Sequence, residues 1–93
     1  MLCIEGRKTD KSWNGLPNWG ITLTKSSGQE VATTKTNATG YYKFCDLAPG
    51  QYKVCETPKV GWMQVGDTCH GVTLSYANAS GVDFANTRMC ISG

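Results

Sequence analysis

YYKFCDLAPGQYKVCE, residues 41–56, reads as two strands folded about a Leu-Ala-Pro-Gly turn. Tyr42 and Phe44 alternate with Lys43 and Cys45, and Tyr52 and Val54 alternate with Lys53 and Cys55. This is the period of two that marks a strand with one face buried. Pro49-Gly50 supplies a fixed φ and then a residue tolerant of positive φ, so the stretch predicts a hairpin in which Leu47 folds back to close the end of a core. Glu56 keeps the parity of Tyr52 and Val54. A carboxyl group aimed at a core requires a partner.

The alternation continues outward in both directions. Ile4, Gly6, Lys8 and Asp10 share one face of a first strand from Cys3 to Asp10, Ile21 to Thr24 forms a second, and Val31 to Thr36 a third after the Ser26-Ser27-Gly28 turn. Downstream, Pro58 and Gly61 mark a loop carrying Trp62, Val72 and Leu74 belong to a further strand, and Val82, Phe84, Asn86 and Arg88 share a face of the last. Abundant Gly, Ser and Thr with sparse Leu and Ala, and about seven short strands at this spacing, predict an all-β sandwich. In the loop KSWNGLPNWG, residues 11–20, Trp13 and Trp19 are expected to close the mouth or edge of that sandwich.

A chain of 93 residues suits one domain, 1–93, small enough to benefit from covalent staples. A net charge of +2 with scattered lysines provides no basic patch for nucleic acid. No apolar run approaches the ~20 residues of a membrane span, and Met1-Leu2 opens no signal peptide, so the sequence reads as a mature or excised piece. Five cysteines in a small β domain point to an oxidising, extracellular setting. Cys3, Cys45, Cys55, Cys69 and Cys90 contain no C-x-x-C pair and the sole histidine is His70, so neither a metal nor another cofactor is expected. Asn37-Ala38-Thr39 and Asn78-Ala79-Ser80 make Asn37 and Asn78 glycosylation candidates. Cys69 beside His70 suggests a nucleophile and base, but adjacent strand residues face opposite sides, and the domain is expected not to be an enzyme.

Lys8, Glu56 and Asn86 each stand where alternation demands an apolar side chain. A buried ammonium is penalised by desolvation unless it is neutral or paired. One chemical resolution is covalent: the neutral lysine amine attacks the carboxamide carbon of the asparagine, the glutamic acid polarises the carbonyl and relays protons, and ammonia leaves. The product is an isopeptide bond. The alternative is an ordinary hydrogen-bonded cluster.

Gly6, Lys8 and Asp10, then Gly15 to Pro17, Trp19 to Leu23, Gly40 to Thr57, Gly61-Trp62 and Gly81 to Thr87 together form a pattern that resembles the Cna-B type and SdrD B-like domains of prokaryotic surface proteins. The resemblance covers nearly the whole chain. It implies a prealbumin-like (Ig-like) β-sandwich at the cell surface, serving as a stalk or repeat of adhesins, pili and surface layers. By motif position it assigns the roles of isopeptide lysine, asparagine and assisting glutamate to Lys8, Asn86 and Glu56. Many SdrD B-like members bind calcium in a loop after the first strand. Here that loop offers only Asp10 with Asn14 and Asn18, too few oxygen ligands for a calcium site.

The cysteines depart from that family. If the first and last strands are parallel neighbours with Lys8 beside Asn86, Cys3 and Cys90 lie roughly 30 Å apart at ~3.3 Å per residue, beyond the ~7 Å reach of a disulfide. They are then expected to link successive domains or neighbouring subunits. Cys45 and Cys55 face outward but are offset from direct pairing, Cys69 is available to either, and an odd count leaves a thiol for another chain. Cys90-Ile91-Ser92-Gly93 echoes Cys3-Ile4-Glu5-Gly6, which makes 89–93 the expected start of a further repeat or an inter-subunit linker strand.

The function these readings favour is a non-enzymatic extracellular structural module that self-assembles or repeats into a cell-surface fibre, sheath or surface layer, reinforced by disulfides between chains and by a Lys-Asn isopeptide where one forms. The alternative is an adhesin domain presenting Trp13, Trp19 and Trp62 to a glycan or protein ligand.

Overall fold

The computed structural model describes residues 2–65 and 68–88. Its strands are β1 (Leu2–Thr9), β2 (Gly20–Lys25), β3 (Glu30–Lys35), β4 (Tyr41–Leu47), β5 (Gly50–Glu56), β6 (Trp62–Val65), β7 (Cys69–Leu74) and β8 (Phe84–Arg88). They form two four-stranded sheets, β4-β1-β8-β6 and β3-β2-β5-β7. The strand beyond the expected seven is β6, which occupies what the sequence marked as a loop around Trp62. Its pairing with β8, Trp62 opposite Arg88 and Gln64 opposite Asn86, supplies the reason. A stretch too short to show alternation becomes a strand when a neighbour offers it a ladder.

Alternation places the core as expected. Ile4, Ile21, Leu23, Tyr42, Phe44, Leu47, Tyr52, Val54, Leu74 and Phe84 pack into one cluster between the sheets. Burying each such side chain contributes about 1.5–3 kcal/mol.

The predicted hairpin of residues 41–56 is not one. β4 pairs with β1, whereas β5 pairs with β2 and β7, so the Ala48-Pro49 link crosses from one sheet to the other. A period of two shows which side chains enter a core, but it is the same whether the second strand lies beside the first or across from it. A bulge completes the crossing. Leu2 faces Leu47 while Ile4 faces Phe44, so β4 carries one extra residue in this interval, and Asp46 there takes a φ of 61°. The extra residue turns Leu47, which strict alternation would expose, into the core.

β1 and β8 are parallel neighbours, with Lys8 opposite Phe84 and Thr9 opposite Ala85. Before β8 begins, Ala79 and Val82 already bond along β1 through Glu5 N–H to Ala79 O, Ala79 N–H to Cys3 O, and Val82 N–H to Glu5 O. Two disulfides tie neighbouring strands on the outer faces: Cys3–Cys45 joins β1 to β4, and Cys55–Cys69 joins β5 to β7. The expectation that Cys3 links one domain to the next is therefore corrected. The partner of Cys3 is Cys45, which the β4–β1 ladder sets beside it and which no local pattern around Cys3 reveals. Cys90 and the 89–93 echo lie outside the described residues.

Candidate functional site

Lys8 is the penultimate residue of β1, Glu56 closes β5 and Asn86 sits within β8. All three side chains are buried between the sheets, and the two layers bring them into contact. Lys8 Nζ donates to Glu56 Oε2 at 2.5 Å and to Asn86 Oδ1 at 2.7 Å. Glu56 Oε1 has no hydrogen-bond partner among the described residues.

The lysine is held from its backbone outward. Lys8 N–H donates to Gly40 O at 2.7 Å and Lys8 O accepts from Leu16 N–H at 2.8 Å. Gly40 has a φ of +80°, and a Cβ on it would lie 2.2 Å from Lys8 O, so only glycine fits. Leu16 begins the run that delivers Trp19. Thr36 Oγ1 donates to Leu16 O at 2.5 Å and accepts from Trp19 N–H at 2.9 Å, while Trp19 Nε1 donates to Thr57 O at 2.8 Å. The Trp19 ring thereby covers the lysine, with Lys8 Nζ 4.2 Å from its centroid. The Trp62 ring meets it edge-on at 5.4 Å, and exposed Lys59 approaches it at 4.9 Å.

Burial pushes the Lys8 ammonium below its usual range, and the hydrogen bond and charge of Glu56 pull it partly back. An amine in these surroundings sheds its proton more readily than one in water. The site therefore contains a lysine primed toward its nucleophilic form, a carboxamide within hydrogen-bonding distance, and a carboxyl group touching the same nitrogen. Amide exchange with loss of ammonia draws on groups of these kinds, an amine, a carboxamide and a carboxyl.

Other candidate residues lie apart. Asp10 is spent on its own loop: Oδ1 accepts from Ser12 N–H at 2.8 Å and Asn14 N–H at 3.0 Å, and Oδ2 accepts from Asn14 Nδ2 at 3.1 Å. Those bonds hold its carboxyl below the usual carboxylate range. Among the described residues no cluster of His, Cys, Asp or Glu is arranged to hold a metal ion. Asn37 and Asn78 are exposed; the first accepts from Thr39 and Tyr41 N–H, the second from Cys3 N–H. Cys69 is in its disulfide, and His70, on the opposite face, has Nε2 2.8 Å from Asp83 O and its ring against Phe84.

The tryptophans separate. Trp19 is buried and Trp62 half-buried, but Trp13, expected to close the sandwich, is 76% exposed. Its backbone takes a left-handed φ of 67°. That Trp19 roofs Lys8 is not legible in the sequence, because a loop residue has no periodicity to read.

A family model described as the SdrD B-like domain matches residues 5–89. The chain belongs to the SdrD B-like domain family. Colossin-A of Dictyostelium discoideum is 46% identical over 44 residues, which is 47% of this chain and 0% of that protein to the nearest per cent. The serine-aspartate repeat-containing protein D of Staphylococcus aureus is 36% identical over 59 residues, 63% of this chain and 4% of that protein. The chain thus spans a small fraction of the curated relatives it matches. Among solved structures, the major pilin subunit of Bacillus cereus aligns at a TM-score of 0.77 with 19% identity, over 91% of this chain and 28% of that one. The Bacillus anthracis TIE protein aligns at 0.77 with 23% identity, over 94% of this chain and 17% of that one. These likenesses show the same Ig-like sandwich. The SdrD B-like domain is a cell-surface, extracellular module of structural or adhesin type.

Proposed function

We propose that this SdrD B-like domain is a non-enzymatic building block of a fibre, sheath or surface layer, locked internally by a Lys8–Asn86 isopeptide bond and joined to a second copy through Cys90. The observation that carries the reading is the buried contact of Lys8 Nζ with both Glu56 and Asn86. In the reaction the Nζ lone pair attacks Asn86 Cγ, and a C–N bond forms. The bond from Cγ to Nδ2 then breaks, a lysine proton passes through the Glu56 carboxyl to the departing nitrogen, and one ammonia leaves. No oxidant or cofactor enters. The cysteines support the assembly: two disulfides consume Cys3, Cys45, Cys55 and Cys69, so of the five cysteines Cys90 alone is left for a partner outside the domain. Residues 89–93 then serve as the start of a further repeat or as a linker strand between subunits.

Intact mass and electrophoresis test both parts. A reduced monomer lighter by one ammonia is expected for the native domain, and the full mass for Lys8→Ala. Native material is expected to run, without reductant, as a dimer linked through Cys90 that collapses to monomer on reduction. A single monomer band with and without reductant overturns the cross-linked assembly while leaving the internal bond to its own mass measurement.

A second reading, an adhesin, is favoured by Trp13. Its exposed ring flanks a cleft of about 270 Å³ shared with Thr9, Asp10, Lys11 and Ala85. Ligand binding that is lost in Trp13→Ala with an unchanged melting curve would establish that role.

A further inference from the structure

Among the described residues β7 is an edge strand, paired to β5 alone. Its apolar anchorage is one-sided. Leu74 at its far end is buried and Val72 half-buried, whereas Gly71 is exposed and the near end begins with Cys69 and His70. Strand ends with few buried contacts open first. The near end, Thr68 to His70, is half-buried and is fastened by the Cys55–Cys69 disulfide, the bond from Glu56 N–H to Thr68 O, the contact of His70 Nε2 with Asp83 O at 2.8 Å and the His70 ring on Phe84 at 4.6 Å between centroids.

That near end is where Glu56 sits. Cys55 precedes Glu56 on β5, facing out where Glu56 faces in, and Cys55 is the direct cross-strand partner of Cys69. The next rung is Glu56 N–H donating to Thr68 O at 3.0 Å. On its other side Glu56 is opposite Ile21 of β2. The disulfide therefore pins the β7 flank of the glutamate, and His70, carried by the same strand end, closes the seam toward Phe84, the cross-strand partner of Lys8.

We propose that the Cys55–Cys69 disulfide licenses the Lys8–Asn86 condensation by holding Glu56 in place and keeping its flank dry, so that the internal bond closes only in an oxidised domain. The inference rests on the isopeptide reading above. When the strand end lifts, Glu56 loses one of its two neighbouring strands, and water enters beside the carboxyl group. Water stabilises the Lys8–Glu56 ion pair, whose ammonium has no lone pair with which to attack. Forming the disulfide releases two protons and two electrons, the electrons passing to a disulfide oxidant such as oxidised glutathione. The order of events is then oxidation first and amide exchange second. Cys55 and Cys69 are positioning residues that touch none of the reacting atoms.

The test follows ammonia loss by intact mass in the 93-residue chain, made in a reducing cytosol and then exposed to oxidised glutathione or kept in dithiothreitol. Oxidised wild type is expected to lose ammonia at least ~10-fold faster than reduced wild type, equivalent to ~1.4 kcal/mol of barrier. Cys55→Ser with Cys69→Ser is expected to stay slow under both conditions, and Cys55→Val with Cys69→Val, which keeps an apolar pair without the link, to stay slow as well. Cys3→Ser with Cys45→Ser is expected to remain fast when oxidised, separating a local effect from general loss of stability. Hydrogen exchange supplies the positional readout: the Glu56 amide should lose protection in the Cys55 and Cys69 variants, while the Lys8 amide, bonded to Gly40 O, keeps it. A valine pair as fast as oxidised wild type, or equal slowing in the Cys3 and Cys45 variant, overturns the proposal. Wild type that never loses ammonia in either state overturns the isopeptide reading itself, a distinct result.

Discussion

Gly6 occupies a position where no side chain fits. A Cβ there would lie 1.9 Å from Val82 O and 2.9 Å from the Tyr42 hydroxyl, because the chain leading into β8 runs hard against β1. Gly6→Ala is expected to lower stability by about 2 kcal/mol or more, read as a drop in melting temperature. Tyr42 beside it donates its hydroxyl to Val82 O, and burial, with the charge of Asp83, pushes that hydroxyl well above its usual value of 10.0. Neutral Tyr42 therefore contributes stability below pH ~10 that declines as pH rises beyond it, since the unfolded chain ionises first while the folded one holds its proton. Tyr42→Phe should flatten this alkaline loss in melts taken from pH 9 upward. The same scale shows what the sequence could disclose. Lys8, Glu56 and Asn86 were legible because each breaks an alternation that its neighbours keep. Cys3 was misread because its partner, Cys45, is set by the pairing of two strands distant in sequence, and no local pattern records that pairing.

At the level of the element, the β4–β5 crossing and the loop before β2 decide what the tryptophans do. The loop is fastened by Thr36 and by Lys8, so Trp19 is delivered to the interior and Trp13 to the outside. Trp19→Ala is expected to cost about 3–5 kcal/mol, as for other buried aromatics. Trp13→Ala should stay within about 0.5 kcal/mol of wild type, as for exposed positions. Denaturant titration of the two variants checks both values. The crossing also explains why the stretch that reveals the two-faced strands of the fold misstates their arrangement. Tyr42, Phe44, Tyr52 and Val54 were correctly placed on buried faces, and those faces do share one core. They meet across the sandwich, a relation set by the ladders β4 makes with β1 and β5 makes with β2, neither of which is visible between residues 41 and 56.

For the molecule as a whole, the parallel pairing of β1 with β8 has a mechanical consequence. Tension applied at Leu2 and Arg88 slides these strands past one another, loading the bonds from Cys3 through Arg7 together rather than one after another. Should that contact yield, the disulfides set how far the domain lengthens. The covalent path then runs from Cys3 directly to Cys45, along β5's approach to Cys55, directly to Cys69 and on to Arg88. Only roughly 30 residues pay out, about 100 Å at ~3.4 Å each, against about 290 Å for the fully reduced chain. Single-molecule pulling should resolve the two lengths, and a closed Lys8–Asn86 bond should abolish both. The outer-face cystines thus act as stops on a tether, limiting its give even in a copy whose internal bond has not yet formed.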